Sequence, residues 1–214
     1  MMDEEARQRV LMSALTTEHL VLQTAASSLN IEASARSSLY MLALSSCLVA
    51  IGFTSQSPDV FIPLVASVLP AVFLLGIFTV VRLVDASLEY MQHLKSIARI
   101  RNYYRTISPE AAVYFAADNG RWPETKSIPT LRLGPLFAYF STIASMIAFV
   151  NNVVAGAGIT ILASNLLGRD RAWLAPPIGI ISVVLLTIAF LIYQRWRFSI
   201  LGVNARNDKG RHST

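Results

Sequence analysis

The sequence predicts an all-α polytopic membrane protein with four transmembrane helices and a helical cytoplasmic hairpin. Of the 214 residues, 54% are hydrophobic and only 14% are charged, whereas soluble domains average about 25% charged residues. Four uncharged runs each exceed the roughly 20 helical residues that cross a hydrocarbon core of about 30 Å. Because a backbone in lipid must satisfy its own hydrogen bonds, each run is predicted to be a helix. The composition excludes an ordinary soluble domain, a disordered chain and a disulfide-built secreted module.

The uncharged runs divide the chain into five predicted segments. The runs extend from Ser37 to Pro58, from Val60 to Val81, from Leu136 to Gly168 and from Ala172 to Gln194. The segments are a cytoplasmic amphipathic helix at 1–36, transmembrane helices one and two at 37–81, a cytoplasmic helical extension and loop at 82–135, transmembrane helices three and four at 136–194, and a cytoplasmic tail at 195–214.

The basic residues predict the orientation of the chain. All but two of the 18 Lys and Arg residues lie before the first run, between the second and third, or after the fourth. The exceptions, Arg169 and Arg171, lie between the third and fourth runs. Because cytoplasmic loops carry an excess of Lys and Arg, both termini are predicted to be cytoplasmic in a multi-pass protein of the cell (plasma) membrane, the inner membrane of a bacterium. The late start of the first run predicts no cleavable signal peptide.

Aromatic residues near the ends of the runs are predicted to anchor the protein at the membrane surface. Amphipathic rings favour the headgroup region at both interfaces. At the start of the fourth run, Pro176 and Pro177 fall in the first turn or so, where missing amide donors cost least. The predicted anchors are Tyr40, Phe61, Phe137, Tyr139, Trp173, Tyr193 and Trp196.

Two stretches without glycine or proline flank the first pair of runs and predict the cytoplasmic hairpin. Residues 4–36 and 84–107 each carry apolar side chains at helical spacing. A tight outer turn at Ser55 to Asp59 makes the first two runs antiparallel neighbours, so their extensions can pack together. Two interpretations stay open, a hairpin that buries its own stripes and a stalk that oligomerises or docks a partner. The stripes are Leu11, Leu15, Leu22, Ala25, Leu29 and Ala33, and Tyr90, Leu94, Ile97 and Tyr104.

The most informative polar residues are Asn151 and Asn152, inside the third run. As one straight helix that run would be about 50 Å long against a core of about 30 Å, so it must tilt, bend or leave the bilayer early. The segment from Asn151 to Gly158 is the predicted bend, and its distance of about 23 Å from Leu136 puts the two amides in the outer half. Polar side chains at this depth face other helices or water, which leaves helix contacts and a permeation path as alternatives. Gly156 and Gly158 favour close helix packing.

Two groups of charged residues on the second helix are candidate sites. A candidate basic face lies on its cytoplasmic extension, either as a solvated face or as a contact for anionic lipid heads or a nucleotide-like ligand. Arg82 and Asp85 stand three residues apart at the inner end of the second run and can pair along the helix at the interface, as an anchor or a gate. The basic face consists of Lys95, Arg99, Arg101 and Arg105.

Signatures of catalysis are missing from the sequence. His19 and His93 are isolated, and the single cysteine, Cys47, lies in an apolar run, which is typical of a buried inert thiol. No metal-ligand spacing, HExxH motif or nucleotide-binding glycine loop occurs. The sequence therefore predicts no enzyme, cofactor, metal site or DNA binding.

Four ordered pieces of the sequence resemble an uncharacterised bacterial family of small four-span membrane proteins. The resemblance covers most of the chain, implies the same four-span fold and carries no functional residues over. The first half is also similar in plan to the SLATT-type membrane effectors of bacterial nucleotide-signalled and phage-defence systems. That similarity implies membrane permeabilisation, although this chain departs from the plan by two further spans. The pieces are ALTTEHLVLQTAASSLNIEASARSSLYMLALSSCLVAIGF, LPAVFLLGIFTVVRLVD, ARIRNYYRTISPEAAVYF and TLRLGPL.

These observations predict a non-enzymatic integral membrane protein that forms an oligomeric pore or a membrane-perturbing effector. Its cytoplasmic helices would assemble or sense, and its partners would be the lipid bilayer, further copies of the chain and an unknown cytoplasmic protein or nucleotide ligand. The alternative is a membrane-anchored scaffold or accessory subunit, with a small transporter ranking below it.

Overall fold

The computed structural model describes residues 4–107, 109–114 and 142–211, and the regular structure within these ranges is helical throughout. This confirms the all-α prediction. The predicted loop at 121–135 and the predicted anchors Phe137 and Tyr139 lie outside the described residues. The helices are α1 (Glu4–Thr54), α2 (Pro58–Ile107), α3 (Pro109–Tyr114), α4 (Ile143–Leu167), a 3-10 helix (Arg169–Leu174) and α5 (Ala175–Arg211).

Four helical segments are long and apolar enough to cross a membrane. They are α1, α2, α4 and the stretch Asp170–Ser199. The first two are continuous helices of 51 and 50 residues, and α2 passes through Pro63 and Pro70 without a break. The link between them is short, and the carbonyl of Ser57 accepts hydrogen bonds from the amides of Val60 and Phe61, which starts α2.

The helix in the third run starts later than its uncharged sequence suggests. Thr142 is extended, and its hydroxyl accepts a hydrogen bond from the amide of Ser145, so Thr142 is the N-cap of α4. The 25 residues of α4 are about 37 Å long and are helical without interruption from Asn151 to Gly158. Asn151 and Asn152 therefore lie in the first half of α4. The helix is shorter than the uncharged run because it begins at Ile143, and not because it breaks at the asparagines.

The described residues form two compact units. The first, the helix pair, comprises the described residues of 4–33, 85–107 and 109–114, which belong to α1, α2 and α3. In its core, Leu22 of α1 is buried with three apolar residues of α2, and the partly buried Leu15 packs against them. The two predicted apolar stripes thus pack on each other, although Leu11 of the first stripe is exposed. The α2 residues of this core are Leu94, Ile97 and Ile100, with Tyr90, Met91 and Tyr104 beside them.

The second unit, the bundle, comprises the described residues of 34–84 and 142–211. Many large apolar side chains lie on its surface, and several polar side chains are buried among the apolar residues of its interior, whereas soluble proteins keep most polar residues at the surface. Phe53, Phe78 and Ile180 are well over half exposed, whereas Asn151 and Gln194 are buried. This distribution suits a hydrocarbon surrounding, in which polar side chains turn towards other helices.

One prediction about the ends of the runs needs correction. Tyr40 does not lie at the surface as an anchor, because it is 1% exposed and reaches a polar partner inside the bundle. The fourth uncharged run ends at Gln194, and α5 continues past it to Arg211. Trp173 and Trp196, also predicted to be anchors, are exposed.

Candidate functional site

The first candidate site is built around Asn151 in the bundle. The hydroxyl of Tyr40 on α1 donates a hydrogen bond of 3.0 Å to Oδ1 of Asn151. Nδ2 of Asn151 in turn donates to the backbone carbonyl of Phe73 on α2 over 3.2 Å. One amide that is 2% exposed therefore joins three helices, α1, α2 and α4.

Gly76 on α2 provides the space that the Asn151 side chain occupies. A Cβ atom at position 76 would overlap Oδ1 and Cγ of Asn151 and would lie 2.7 Å from Nδ2. Any side chain at Gly76 would displace the amide from the Phe73 carbonyl. Nothing in the sequence marks Gly76 as a packing position, because its role depends on a residue 75 positions away.

Asn152 extends the same site to the fourth helix. Its Nδ2 donates a hydrogen bond of 3.2 Å to the hydroxyl of Thr187 on α5. Consecutive residues of a helix point about 100° apart, so the adjacent pair of asparagines reaches different neighbours. We call the group consisting of Tyr40, the Phe73 carbonyl, Asn151, Asn152 and Thr187 the polar junction. It connects all four long helices of the bundle.

A second polar cluster joins the start of α4 to α5. Gln194 is 1% exposed; its Nε2 donates to the hydroxyl of Thr142 over 3.2 Å, and its Oε1 accepts from the hydroxyl of Ser145 over 3.3 Å. Thr142 thus caps its own helix and contacts α5. Nothing in the sequence indicates this cluster beyond the position of Gln194 at the end of an uncharged run.

Glycines bring α4 and α5 into close contact. A Cβ atom on Gly156 would lie 2.9 Å from the carbonyl oxygen of Gly179, and one on Gly179 would lie 2.6 Å from the carbonyl oxygen of Gly156. Small residues allow such an approach between helix backbones. Gly158 faces α2 instead, where its added Cβ would meet Leu69 at 3.0 Å. The sequence predicts close helix packing for Gly156 and Gly158 but not for Gly179.

The candidate basic face does not form one uniform exposed surface. Arg99 is exposed, whereas Lys95, Arg101 and Arg105 are half-buried. The Nε atom of Arg101 and the Nη2 atom of Arg105 are buried completely. Arg82 and Asp85, the candidate interfacial pair, are each half-buried in α2.

His19 lies in the helix pair and belongs to neither polar cluster. It is half-buried, and its Nδ1 atom is buried without a hydrogen-bond partner among the described residues. Burial lowers the pKa of His19 from its ordinary value of 6.5, and the positive charge of Arg101 lowers it further. The neutral imidazole is therefore the form that fits the folded helix pair.

We expect acidification to destabilise the helix pair through His19. The pKa of His19 in the folded state is below 6.5. The stability that the neutral imidazole contributes to the helix pair is therefore fully present above about pH 6.5 and is lost as the pH falls through the folded-state pKa. His19→Gln should flatten the acid decline in melting temperature, measured by circular dichroism between about pH 7.5 and pH 5. His93→Gln is the matched control on α2, and equal acid slopes in both variants would contradict the role of His19.

The chemistry of the polar junction is hydrogen bonding between helices. Its groups are amides, hydroxyls and a backbone carbonyl, without a carboxylate or imidazole that could serve as a general acid or base at neutral pH. Across residues 4–107, 109–114 and 142–211, no three His, Cys, Asp or Glu residues come together as a set of metal ligands. Comparisons of the chain with protein-family models, curated proteins and solved structures give no match.

Proposed function

We propose that the chain is a non-enzymatic protein of the cell membrane that works as an oligomer and forms a pore or perturbs the bilayer. In this proposal the bundle is the membrane part, and the helix pair lies in the cytoplasm as the element for assembly or sensing. Four helices with spanning length support the membrane location. The apolar surface and polar interior of the bundle support it further.

Exposed apolar residues on α1 carry the proposal of assembly. Val10, Leu20, Val21 and Ile31 are each 57% or more exposed, although they lie in the unit proposed to be in water. Eleven residues make about three helical turns, so Val10 and Val21 project from the same side of α1. An exposed apolar surface of this kind marks an interaction site, and a second copy of the chain would present the same surface in return.

Charges placed on this surface are expected to dissociate the oligomer. Val10→Glu with Val21→Glu would leave the core around Leu22 intact but bury two carboxylates between copies, and we expect association at least about tenfold weaker. Light scattering of the detergent-solubilised protein would give the subunit number. Gln23→Glu, an exposed site on the same helix, is the control for added charge. A wild type that is monomeric at all concentrations would overturn the proposal.

The hydrogen bonds of the polar junction limit which residues could line a conducting path. Asn151 and Asn152 bond to other helices of the same chain, so a conducting path between copies would be lined by other residues. The same observation favours the second candidate function, a membrane-anchored scaffold whose bundle only holds the helix pair. Ion flux from vesicles separates the two: flux that falls with the Val10 and Val21 double variant supports a pore, and oligomers that leave vesicles tight support the scaffold.

A further inference from the structure

An apolar groove runs along α4 between α2 and α5. It consists of two cavities, of about 310 and 230 Å³, and Phe73 and Leu186 line both of them. The cavities therefore adjoin end to end. The first is lined by apolar residues only, whereas the second reaches Asn151 and Asn152 of the polar junction.

The groove is long and narrow. Its lining extends from Val65 to Val81 on α2 and from Ala148 to Leu162 on α4, which corresponds to about 21–24 Å at the helical rise. Along that length the two cavities together offer about 540 Å³. The groove follows the direction of the helices.

These dimensions select one occupant. An α-helix with its side chains is about 10–12 Å across, so 21–24 Å of a helix from a second copy would take up roughly 1,600–2,700 Å³, several times the volume of the two cavities. A single file of methylene groups is about 4–5 Å wide, because carbon atoms in contact are about 4 Å apart. Over 21–24 Å such a file takes up roughly 260–470 Å³, less than the two cavities offer together. An extended hydrocarbon chain therefore fits the volume, the length and the apolar lining of the groove.

We propose that this groove binds one acyl chain of a bilayer lipid, an inference that rests on the proposed membrane location. The chain lies along α4, over the small side chain of Ala155 and the bare backbone of Gly158. It covers the lipid-facing side of Asn151 and Asn152 and keeps water away from their hydrogen bonds. Bound lipid thus links α2 to α5 and stabilises the bundle.

Filling the groove with a side chain should prevent lipid binding. Ala155→Trp places an indole in the first cavity, and Leu162→Phe fills it more mildly should the first variant fold poorly. Ala157→Trp, exposed on the same helix, is the matched control. Delipidated protein in mild detergent is titrated with dioleoylphosphatidylcholine, and bound lipid is counted by native mass spectrometry. Wild type and Ala157→Trp should bind one lipid saturably, and the groove variants should bind at least about tenfold more weakly.

Flotation of the same proteins with dioleoylphosphatidylcholine vesicles separates this inference from the proposal on which it depends. If none of them floats, the membrane location is wrong. If all float and the groove variants bind lipid as tightly as Ala157→Trp, the groove is not the lipid site and the membrane proposal stands. Floating proteins with binding lost only in the groove variants would support both.

Discussion

Replacing Asn151 by leucine is expected to lower the free energy of unfolding of the bundle by about 1.5–3 kcal/mol. The substitution keeps the side-chain size close but removes both hydrogen bonds of the amide. The hydroxyl of Tyr40 is then buried without its partner, which costs about 1–3 kcal/mol. Detergent titration of the purified protein, followed by far-UV circular dichroism, measures the change.

The same helix offers a control for the loss of an asparagine. Asn165 is exposed, and its amide donates to the carbonyl of Ile161 in its own helix, so Asn165→Leu should change the unfolding free energy by less than about 0.5 kcal/mol. Tyr40→Phe completes a double-mutant cycle with Asn151→Leu, and a coupling of about 0.5–1.5 kcal/mol is expected from their direct bond. Equal effects of Asn151→Leu and Asn165→Leu would show that the polar junction contributes no stability.

The all-α class and the four helices that are long and apolar enough to span a membrane could be predicted, because they depend on local properties of the sequence. Uncharged runs of sufficient length indicate helices apolar enough to span a membrane, and the absence of glycine and proline over 84–107 predicts that α2 continues as one helix. The start of α4 could not be read in this way, because an uncharged run shows only where a helix can lie. The start of α4 is set by Thr142, which caps the helix by accepting a hydrogen bond from the amide of Ser145. A threonine at this position is the signal that the sequence offers.

The polar junction could be predicted only in part. Asn151 and Asn152 stand out in the sequence as amides in an apolar run, and both alternatives for them assumed that they face something polar. Their partners depend on how four helices pack, which hydropathy does not encode. The position of Tyr40 in the sequence therefore predicts an interfacial anchor, although its hydroxyl bonds to Asn151. Nothing in the sequence distinguishes Gly76 from other glycines, although it provides the space for the Asn151 side chain.

Gly179→Val is expected to have the largest effect on the bundle, a loss of about 2–4 kcal/mol of unfolding free energy. Overpacking of a core costs about 1–3 kcal/mol when flexible side chains can move aside. Here the first added carbon would overlap Oγ1 of Thr160 and lie 2.6 Å from the carbonyl oxygen of Gly156. Backbone cannot yield without separating α4 from α5.

The contact between Gly156 and Gly179 also predicts which glycines tolerate substitution. Among the described residues outside its own helix, no atom lies within 4 Å of a Cβ added to Gly52. Gly52→Val on α1 should therefore change the unfolding free energy by less than about 0.5 kcal/mol, since valine is at least as good a helix former as glycine. Thermal unfolding of both variants in the same detergent tests the difference. Equal melting temperatures of the two variants would contradict the close contact of α4 and α5 at Gly156 and Gly179. Valine at position 179 would then be tolerated as well as valine at position 52, on the exposed side of α1.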